Sequence, residues 1–316
     1  MQPIGFCQRA TGSVLPVSSL GRPRWQLSGA RTLRRRGILA FPLCVGGCGG
    51  GILEPAGPVA AGEKILLGNA LAVMLGIVVP VIILTLVFAY WYRAGNRNAT
   101  HRPEFAYSGK LELLVWSVPL IVIVFLGGMG WVASHELDPR RPLSSRQKPI
   151  VVQVIALDWK WLFIYPDEGV ATVNRVVVPA GTPIEFHITS ATVMNSFFVP
   201  QLGSQIYAMA GMEAKLNLMA DRPGRFHGLS AHYSGEGFSD MDFTVDAVPP
   251  QQFAGWATRM RAQGPALTAD SYHALAQQKG NVKPFAYGSV PAGFFAAAVK
   301  EAGAPVHETD NGGRES

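Results

Sequence analysis

Two long apolar segments stand out in the first half of the chain. Ile65 to Tyr92 is a run of 28 residues without a charge, and Leu113 to Ser134 is a second such run of 22 residues. Each is long enough for a helix to cross about 30 Å of hydrocarbon, which takes roughly 20 residues. The pattern therefore predicts a transmembrane helix hairpin over residues 65–134, with helices at about 65–92 and 111–134.

The basic residues around the first apolar segment indicate its direction. Lys64 alone precedes it closely, whereas four cations occupy the loop between the two segments: Arg93, Arg97, Arg102 and Lys110. Short cytoplasmic loops carry the excess of Lys and Arg in membrane proteins. The connecting loop is therefore predicted to be cytoplasmic, with both ends of the hairpin outside.

The pattern changes after residue 149 to short strand-like runs separated by turn-rich segments. Seven such runs are Ile150–Ala156, Trp159–Tyr165, Val173–Val178, Ile184–Thr189, Ser196–Val199, Lys215–Met219 and Phe243–Val248. Short strands at this spacing are typical of a Greek-key β-sandwich. We therefore predict an exported all-β antiparallel domain over residues 149–248.

The last part of the chain returns to a helical pattern. Phe253–Arg261, Ser271–Gln278 and Gly293–Lys300 have the apolar spacing of short amphipathic helices. They predict a short helical extension over residues 249–303 and a disordered tail over 304–316.

The net charge of +6 suggests an acidic partner until the charges are located. Residues 1–48 hold seven arginines and no acid, so the rest of the chain carries 6 − 7 = −1. The basic balance belongs to the N-terminal segment, and it gives no support to nucleic-acid binding.

That segment resembles a bacterial export signal. Arg34-Arg35-Arg36 is followed by an apolar stretch over residues 37–45, and Val45-Gly46-Gly47-Cys48 resembles the lipoprotein box. We expect a leader over 1–47, a lipid such as palmitate on Cys48, and a periplasmic tether over 48–64. The alternatives are that the segment stays uncleaved as a third anchor, or that Cys48 is only a small apolar residue.

The cysteines and one carboxylate complete the candidate chemistry. Cys7, Cys44 and Cys48 are the only cysteines, so residues 49–316 offer no thiol for a disulfide or a soft metal. Glu112 stands at the mouth of the second helix on the cytoplasmic side. It is either a solvated acid favoured by the helix dipole or a functional carboxylate.

The hairpin, the sandwich and Trp159-Lys160-Trp161 together resemble subunit II of the heme-copper respiratory oxidases. The segments Val193–Pro200 and Leu202–Met212 resemble the cytochrome bo-type ubiquinol oxidase branch in particular. This resemblance implies a cupredoxin-like sandwich in the periplasm, a bacterial inner-membrane location and a place in the respiratory chain.

In the cytochrome c oxidase branch, this sandwich holds a dinuclear copper centre through a His and a Cys-x-Glu-x-Cys-x-x-x-His-x-x-Met loop. The resemblance assigns those positions here to Asn195, Ser230, His232, Ser234, Phe238 and Met241. Only the methionine is retained, and serine hydroxyls neither ionise at neutral pH nor act as soft donors. The dinuclear site is therefore expected to be lost, leaving no metal or cofactor on this chain.

The resemblance also implies where the electrons and protons travel. Quinol would reduce heme directly in subunit I, which would hold the hemes, copper and quinone, and cytochrome c would not be a donor. Trp159 and Trp161 would be packing residues. Glu112 matches a carboxylate at the entrance of a proton channel in subunit I. Further small membrane subunits and membrane lipid are the other expected partners.

Two other functions compete with this interpretation. The first is copper binding by a new set of ligands drawn from His187, His227, His232, Met209, Met212, Met219 and Met241. The second is a membrane-anchored periplasmic lipoprotein that binds copper or another ligand outside a respiratory oxidase. A cytochrome c oxidase subunit is disfavoured by the missing thiols.

Overall fold

A computed structural model describes residues 51–100, 102–278, 280 and 282–304. Its helices are α1 (Pro58–Trp91), α2 (Gly109–Glu136), α3 (Pro250–Gln263), α4 (Ala269–Gln277) and α5 (Phe294–Ala302). The strands are β1 (Ile150–Leu157), β2 (Lys160–Tyr165), β3 (Val170–Val173), β4 (Arg175–Pro179), β5 (Ile184–Ser190), β6 (Asn195–Val199), β7 (Gly203–Ala208), β8 (Ala214–Leu218), β9 (Gly224–Ser230), β10 (Asp242–Val248) and β11 (Phe285–Tyr287).

The two apolar segments form long helices whose large apolar side chains are exposed along most of their length. α1 has 34 residues and α2 has 28, which at 1.5 Å per residue gives lengths of about 51 and 42 Å. Both exceed the thickness of the hydrocarbon core. The predicted membrane-spanning pair is confirmed.

The start of α1 differs from the prediction. The helix begins at Pro58, so much of the segment expected to be a tether over 48–64 is helical. Proline suits the first helical position because its φ is already helical and the amide hydrogen that it lacks would have no partner there. Glu63 and Lys64 were placed outside the span because they are charged, but charge does not end a helix.

The first turns of α1 are attached to the β-domain. Val59 and Ala60 are buried, and the Ala60 amide donates to the Leu202 carbonyl at 3.3 Å. The Ser204 hydroxyl donates to Oε1 of Glu63 at 2.5 Å. Just before the helix, the Ala56 amide donates to the Gln201 carbonyl at 2.8 Å. α1 is thus fixed to the sandwich before it continues as the apolar span.

The β-domain is a sandwich of two sheets, with strand orders β11-β3-β2-β1-β5-β8 and β4-β10-β9-β6-β7. In the first sheet, β1, β2 and β3 form an antiparallel meander, and β5 returns on the other side of β1. Two pairs are parallel, β1 with β5 and β4 with β10. The prediction of a purely antiparallel domain is wrong for these pairs, because β4 crosses to the other sheet before β5 returns.

The predicted strand Val173–Val178 matches β4 and only the last residue of β3, and the two strands meet at Asn174. This residue has a φ of +54°, which turns the chain from one sheet to the other. Its side chain holds the corner: Oδ1 accepts from the Trp161 amide at 2.8 Å, and Nδ2 donates to the Val282 carbonyl at 2.9 Å. Asparagine is among the few residues that tolerate a positive φ.

Three strands, β7, β9 and β11, are absent from the prediction. β9 reads GRFHGLS and β7 reads GSQIYA, so neither contains the β-branched apolar run that marks a strand. β11 lies within the predicted helical extension and adds to the edge of the first sheet beside β3. These strands are formed by pairing with their neighbours.

Aromatic rings join the two sheets in the core. The rings of Phe197 and Phe243 stack with centroids 4.9 Å apart, and Trp161 meets both edge-on at 5.4 and 5.7 Å. Gly228 makes room for this cluster, because a Cβ there would lie 2.2 Å from the Phe243 ring. Edge-to-face and offset-stacked pairs add to the stabilisation from burial.

The three predicted C-terminal helices are confirmed. Tyr272 of α4 and Phe295 of α5 belong to a second apolar cluster with Leu162 and Ile164 of the first sheet. On α3, Trp256 packs against Tyr165 with ring centroids 5.2 Å apart. The extension therefore covers apolar surface of the sandwich that would otherwise face water.

Tyr165 joins the sheets through a polar contact. Its hydroxyl donates to the Val177 carbonyl at 3.0 Å and accepts from the Val177 amide at 2.9 Å. The residue is buried, and burial raises the pKa of its phenol above the ordinary value. Both backbone groups of Val177 depend on this one hydroxyl, since β4 lies at the edge of its sheet.

We predict that Tyr165→Phe destabilises the protein although the ring is kept. The substitution leaves a buried amide and carbonyl without a partner, which costs about 1–3 kcal/mol in free energy of unfolding. The control is Tyr233→Phe, because Tyr233 is 73% exposed. Denaturant unfolding of the intact chain in detergent measures both variants. Equal stability of the two variants would contradict the role given to the hydroxyl.

We also predict that Gly203 is needed for docking of α1. Gly203 has a φ of +144°, and a Cβ there would lie 2.6 Å from Cγ1 of Val59; Gly181 also has a positive φ, +73°, but nothing lies within 4 Å of its Cβ position. Alanine strains the backbone at both sites. Only Gly203→Ala also forces a Cβ against Val59, and this overpacking lowers the free energy of unfolding by about 1–3 kcal/mol. We therefore expect the thermal unfolding midpoint of Gly203→Ala to fall several degrees further than that of Gly181→Ala. The same midpoint for both variants would show that the docking contact is loose.

Candidate functional sites

The positions that the resemblance assigns to copper ligands lie together at one end of the sandwich. Asn195 is the first residue of β6, and Ser230 is the last residue of β9. The other four positions lie between β9 and β10. The Ser230 hydroxyl lies 3.3 Å from both Oδ1 of Asn195 and the His232 carbonyl, so its one proton is shared between them. The first ligand positions are thus occupied by a hydrogen-bond network.

The remaining positions are also engaged. The Ser234 hydroxyl donates to Sδ of Met241 at 3.9 Å, and Met241 is only 2% exposed. The Phe238 ring meets Tyr233 edge-on at 5.6 Å, and the His232 imidazole meets Tyr207 in the same way at 5.8 Å. Each side chain has a packing or hydrogen-bonding contact within the end of the sandwich.

Trp159 closes this end of the domain. It has a φ of +58° and lies in the turn before β2, so the strand predicted over Trp159–Tyr165 begins one residue later. Its indole Nε1 donates to the Ser234 carbonyl at 3.3 Å, and its ring lies so close to Gly237 that a Cβ there would be 2.4 Å from Cδ2. Trp159 packs partly buried against the core, and Trp161 is fully buried within it.

The donor set does not fit a dinuclear copper centre. Two copper ions that share charge need bridging thiolates, whereas these positions offer an amide, two hydroxyls, a phenyl ring, an imidazole and one thioether. Hydroxyls stay protonated at neutral pH and are hard donors. What the arrangement can do is hold the loop between β9 and β10 against β6.

Two of the alternative copper ligands, His187 and His227, lie in different sheets. Both ring nitrogens of His187 face carboxylates: Nδ1 lies 2.6 Å from Glu213 and Nε2 3.0 Å from Glu185. His227 is on β9 in the other sheet. Across residues 51–100, 102–278, 280 and 282–304, no group of three or more His, Cys, Asp or Glu side chains is placed to hold a metal ion.

One buried charge was not singled out by the sequence. Lys160, the middle residue of Trp159-Lys160-Trp161, is fully buried, and its Nζ donates to the carbonyls of Asp158 at 2.9 Å and Gln278 at 2.5 Å. Burial lowers the pKa of this amine, and the nearby Asp158 opposes the shift. Lys160 therefore ties the helical extension to the β1–β2 turn. The feature of the sequence that could have identified this residue is a lysine between two tryptophans.

Glu112 lies at the opposite end of α2 from the sandwich. It is in the first turn of the helix, where its backbone amide donates to the Ser108 carbonyl at 2.9 Å. From Glu112 to Glu136 the helix rises about 36 Å, more than the thickness of the hydrocarbon core. The carboxylate therefore lies at the other end of the predicted span from the β-domain. The predicted lipidation site, Cys48, lies outside the described residues.

Comparison with known proteins agrees with these features. The family described as cytochrome C oxidase subunit II, periplasmic domain, matches residues 167–248. A cytochrome bo(3) ubiquinol oxidase subunit 2 of Pseudomonas aeruginosa is 47% identical over 257 residues, covering 81% of this chain and 78% of the relative. The ubiquinol oxidase subunit 2 of Acetobacter aceti is 45% identical over 268 residues, covering 84% and 87%.

One more distant relative and one solved structure are also similar to parts of this chain. The quinol oxidase subunit 2 of Bacillus anthracis is 36% identical over 240 residues, covering 75% of this chain and 82% of the relative. The crystal structure of the periplasmic domain of subunit II of cytochrome oxidase from Bradyrhizobium japonicum aligns at 22% identity and a TM-score of 0.36, covering 38% of this chain and 99% of that chain.

The relatives are similar across both the helix hairpin and the sandwich, since each alignment covers at least three quarters of this chain. The two apolar helices and the matched family together indicate a membrane protein with a periplasmic β-domain. The chain belongs to the family of subunit 2 of the cytochrome bo(3)-type ubiquinol oxidases, which are heme-copper oxidoreductase complexes.

Proposed function

We propose that this chain is the non-redox subunit II of a proton-pumping quinol oxidase, in which two quinols and one O2 give two quinones and two waters. The observation that carries the proposal is the donor set at the end of the sandwich. Ser230, Ser234 and Asn195 stand where the copper-containing branch has two thiolates and an imidazole. A sandwich with these donors has no soft ligand pair through which charge is shared between two copper ions.

Electrons therefore have to reach heme without passing through the sandwich. A membrane-soluble quinol reaches subunit I from the lipid phase, so no relay from a soluble cytochrome c is needed. In this proposal subunit I holds the hemes, the copper and the quinone. The present chain supports subunit I assembly, and its buried aromatic cluster and Lys160 serve the rigidity of the domain.

We expect Ser230→Ala to leave catalysis intact while weakening the loop. The hydroxyl shared by Asn195 and His232 is lost, which leaves a buried acceptor unpaired at about 1–3 kcal/mol. The purified complex should keep its full copper content and its quinol oxidase rate, while thermal unfolding shifts to lower temperature. The control is Ser144→Ala, because Ser144 is an exposed residue that lies before β1.

Loss of copper from the Ser230→Ala complex would contradict the proposal. That result would mean that the hydroxyl network belongs to a metal site. A loss of quinol oxidase rate at unchanged copper content would equally contradict a scaffold role.

Proton uptake is the second part of the proposal. Glu112 is exposed at the cytoplasmic end of α2, and no ion pair engages it within the described part of the chain. A free carboxylate at the membrane surface is able to pick up protons and pass them on. We propose that Glu112 feeds the entrance of a proton channel in subunit I.

We expect Glu112→Gln and Glu112→Ala to lower turnover and proton pumping about tenfold, which corresponds to about 1.4 kcal/mol of barrier. Glu104→Gln is the matched control, because Glu104 is an exposed carboxylate in the loop that leads into α2. Proton release by the complex in vesicles and oxygen consumption are the two measurements. Unchanged pumping in both Glu112 variants would remove Glu112 from the proton path.

The location and partners follow the same proposal. The chain would lie in a bacterial inner membrane as a multi-pass subunit, with Cys48 lipidated after removal of the leader. Its partners would be subunit I, further small membrane subunits and membrane lipid. Neither cytochrome c nor nucleic acid would be a partner.

A further inference from the structure

An open groove runs between the two membrane helices at their sandwich end. It has a volume of about 750 Å³, and apolar side chains of both helices make up most of its wall. On α1 it reaches from Gly62 to Asn69, and on α2 from Val124 to Leu137. The volume falls in the range of about 300–1,000 Å³ that is usual for small-molecule sites.

The groove has the depth of one membrane leaflet. The stretch from Val124 to Leu137 rises about 20 Å along α2, and half of the hydrocarbon core is about 15 Å thick. Its outer end lies where α2 leads into the β-domain, so the groove belongs to the periplasmic leaflet. A single extended acyl chain matches this length and this apolar wall.

A second cavity, whose wall carries a larger share of polar groups, continues the groove at its outer end. It has a volume of about 230 Å³ and shares Glu136 and Leu137 with the groove. Asp138, Arg141 and Asn217 add a carboxylate, a guanidinium and an amide to its wall. The amide of Asn217 is already engaged, since its Nδ2 donates to the Arg140 carbonyl at 3.1 Å.

Three charged side chains stand at this mouth. The Asp138 carboxylate accepts from the Arg140 amide at 2.8 Å, and Glu136 and Arg141 have no ion-pair partner in the described ranges. Arginine binds phosphate oxygens in a bidentate manner, and a carboxylate pairs with an ammonium group. The mouth therefore offers one site for a phosphate and one for an amine, directly above an apolar groove.

We propose that the groove holds one acyl chain of an aminophospholipid with a zwitterionic headgroup. Arg141 binds its phosphate, Glu136 binds its ammonium group, and the chain lies between α1 and α2. A membrane helix of a partner would fill the apolar part alone and would leave Glu136 and Arg141 unpaired. The charged groups at the mouth therefore favour a phospholipid over a membrane helix as the occupant of the groove.

Two glycines on α2 allow the groove to be filled without disturbing the fold. Gly128 lines the groove and Gly127 does not, and a Cβ at either position meets nothing within 4 Å. Leucine also has a higher helix propensity than glycine. Gly128→Leu therefore projects a side chain into the groove, and Gly127→Leu is its matched control.

The experiment uses the whole complex, purified through this chain in mild detergent, with native mass spectrometry and lipid extraction to count bound phospholipid. We expect the unaltered complex and Gly127→Leu to retain phosphatidylethanolamine and Gly128→Leu to retain about tenfold less. Arg141→Gln should release the lipid. Glu136→Gln should remove the preference for phosphatidylethanolamine over phosphatidylglycerol when the complex is exposed to vesicles of both.

Three results would overturn the proposal. The first is full lipid retention in Gly128→Leu. The second is the same headgroup preference in Glu136→Gln as in the unaltered complex. The third is loss of subunit I from Gly128→Leu at normal levels of this chain, which would show that the groove is covered by a protein helix.

Discussion

A pair of copper ions that shares charge needs thiolates to hold it, and the end of this sandwich has hydroxyls and an amide in their place. The Ser230 hydroxyl shares its proton between Oδ1 of Asn195 and the His232 carbonyl. The Ser234 hydroxyl donates to the buried sulfur of Met241. These contacts keep the loop closed without a metal. The end of the sandwich therefore has no pair of thiolates to bridge two copper ions.

In the proposed function, such a domain contributes through its rigidity and its position. The aromatic cluster around Phe197 and the Tyr165 hydroxyl fasten the two sheets together. The first turns of α1 fix the sandwich to the membrane helices through Ala60 and Glu63. A rigid periplasmic body joined in this way to a helix pair is suited to support a larger membrane subunit.

Sequence patterns predicted the elements that are defined by local composition, which are the apolar helices, the Val- and Ile-rich strands and the three C-terminal helices. They failed where the structure depends on distant contacts. β9 has little apolar character and exists because it pairs with β10 and β6. The corner at Asn174 depends on Trp161 and Val282, which are far apart in the chain. Likewise, the ligand positions at the sandwich end came from a resemblance, because spacing alone does not distinguish a lost metal site from a loop.

The measurement that tests the central claim most directly is rapid-mixing reduction of the purified complex, followed by the absorbance of its hemes. With quinol as the donor, the account predicts heme reduction on the timescale of turnover. With reduced cytochrome c as the donor, it predicts no reduction on that timescale. Rapid heme reduction by cytochrome c would contradict the account, because the sandwich would then be carrying electrons.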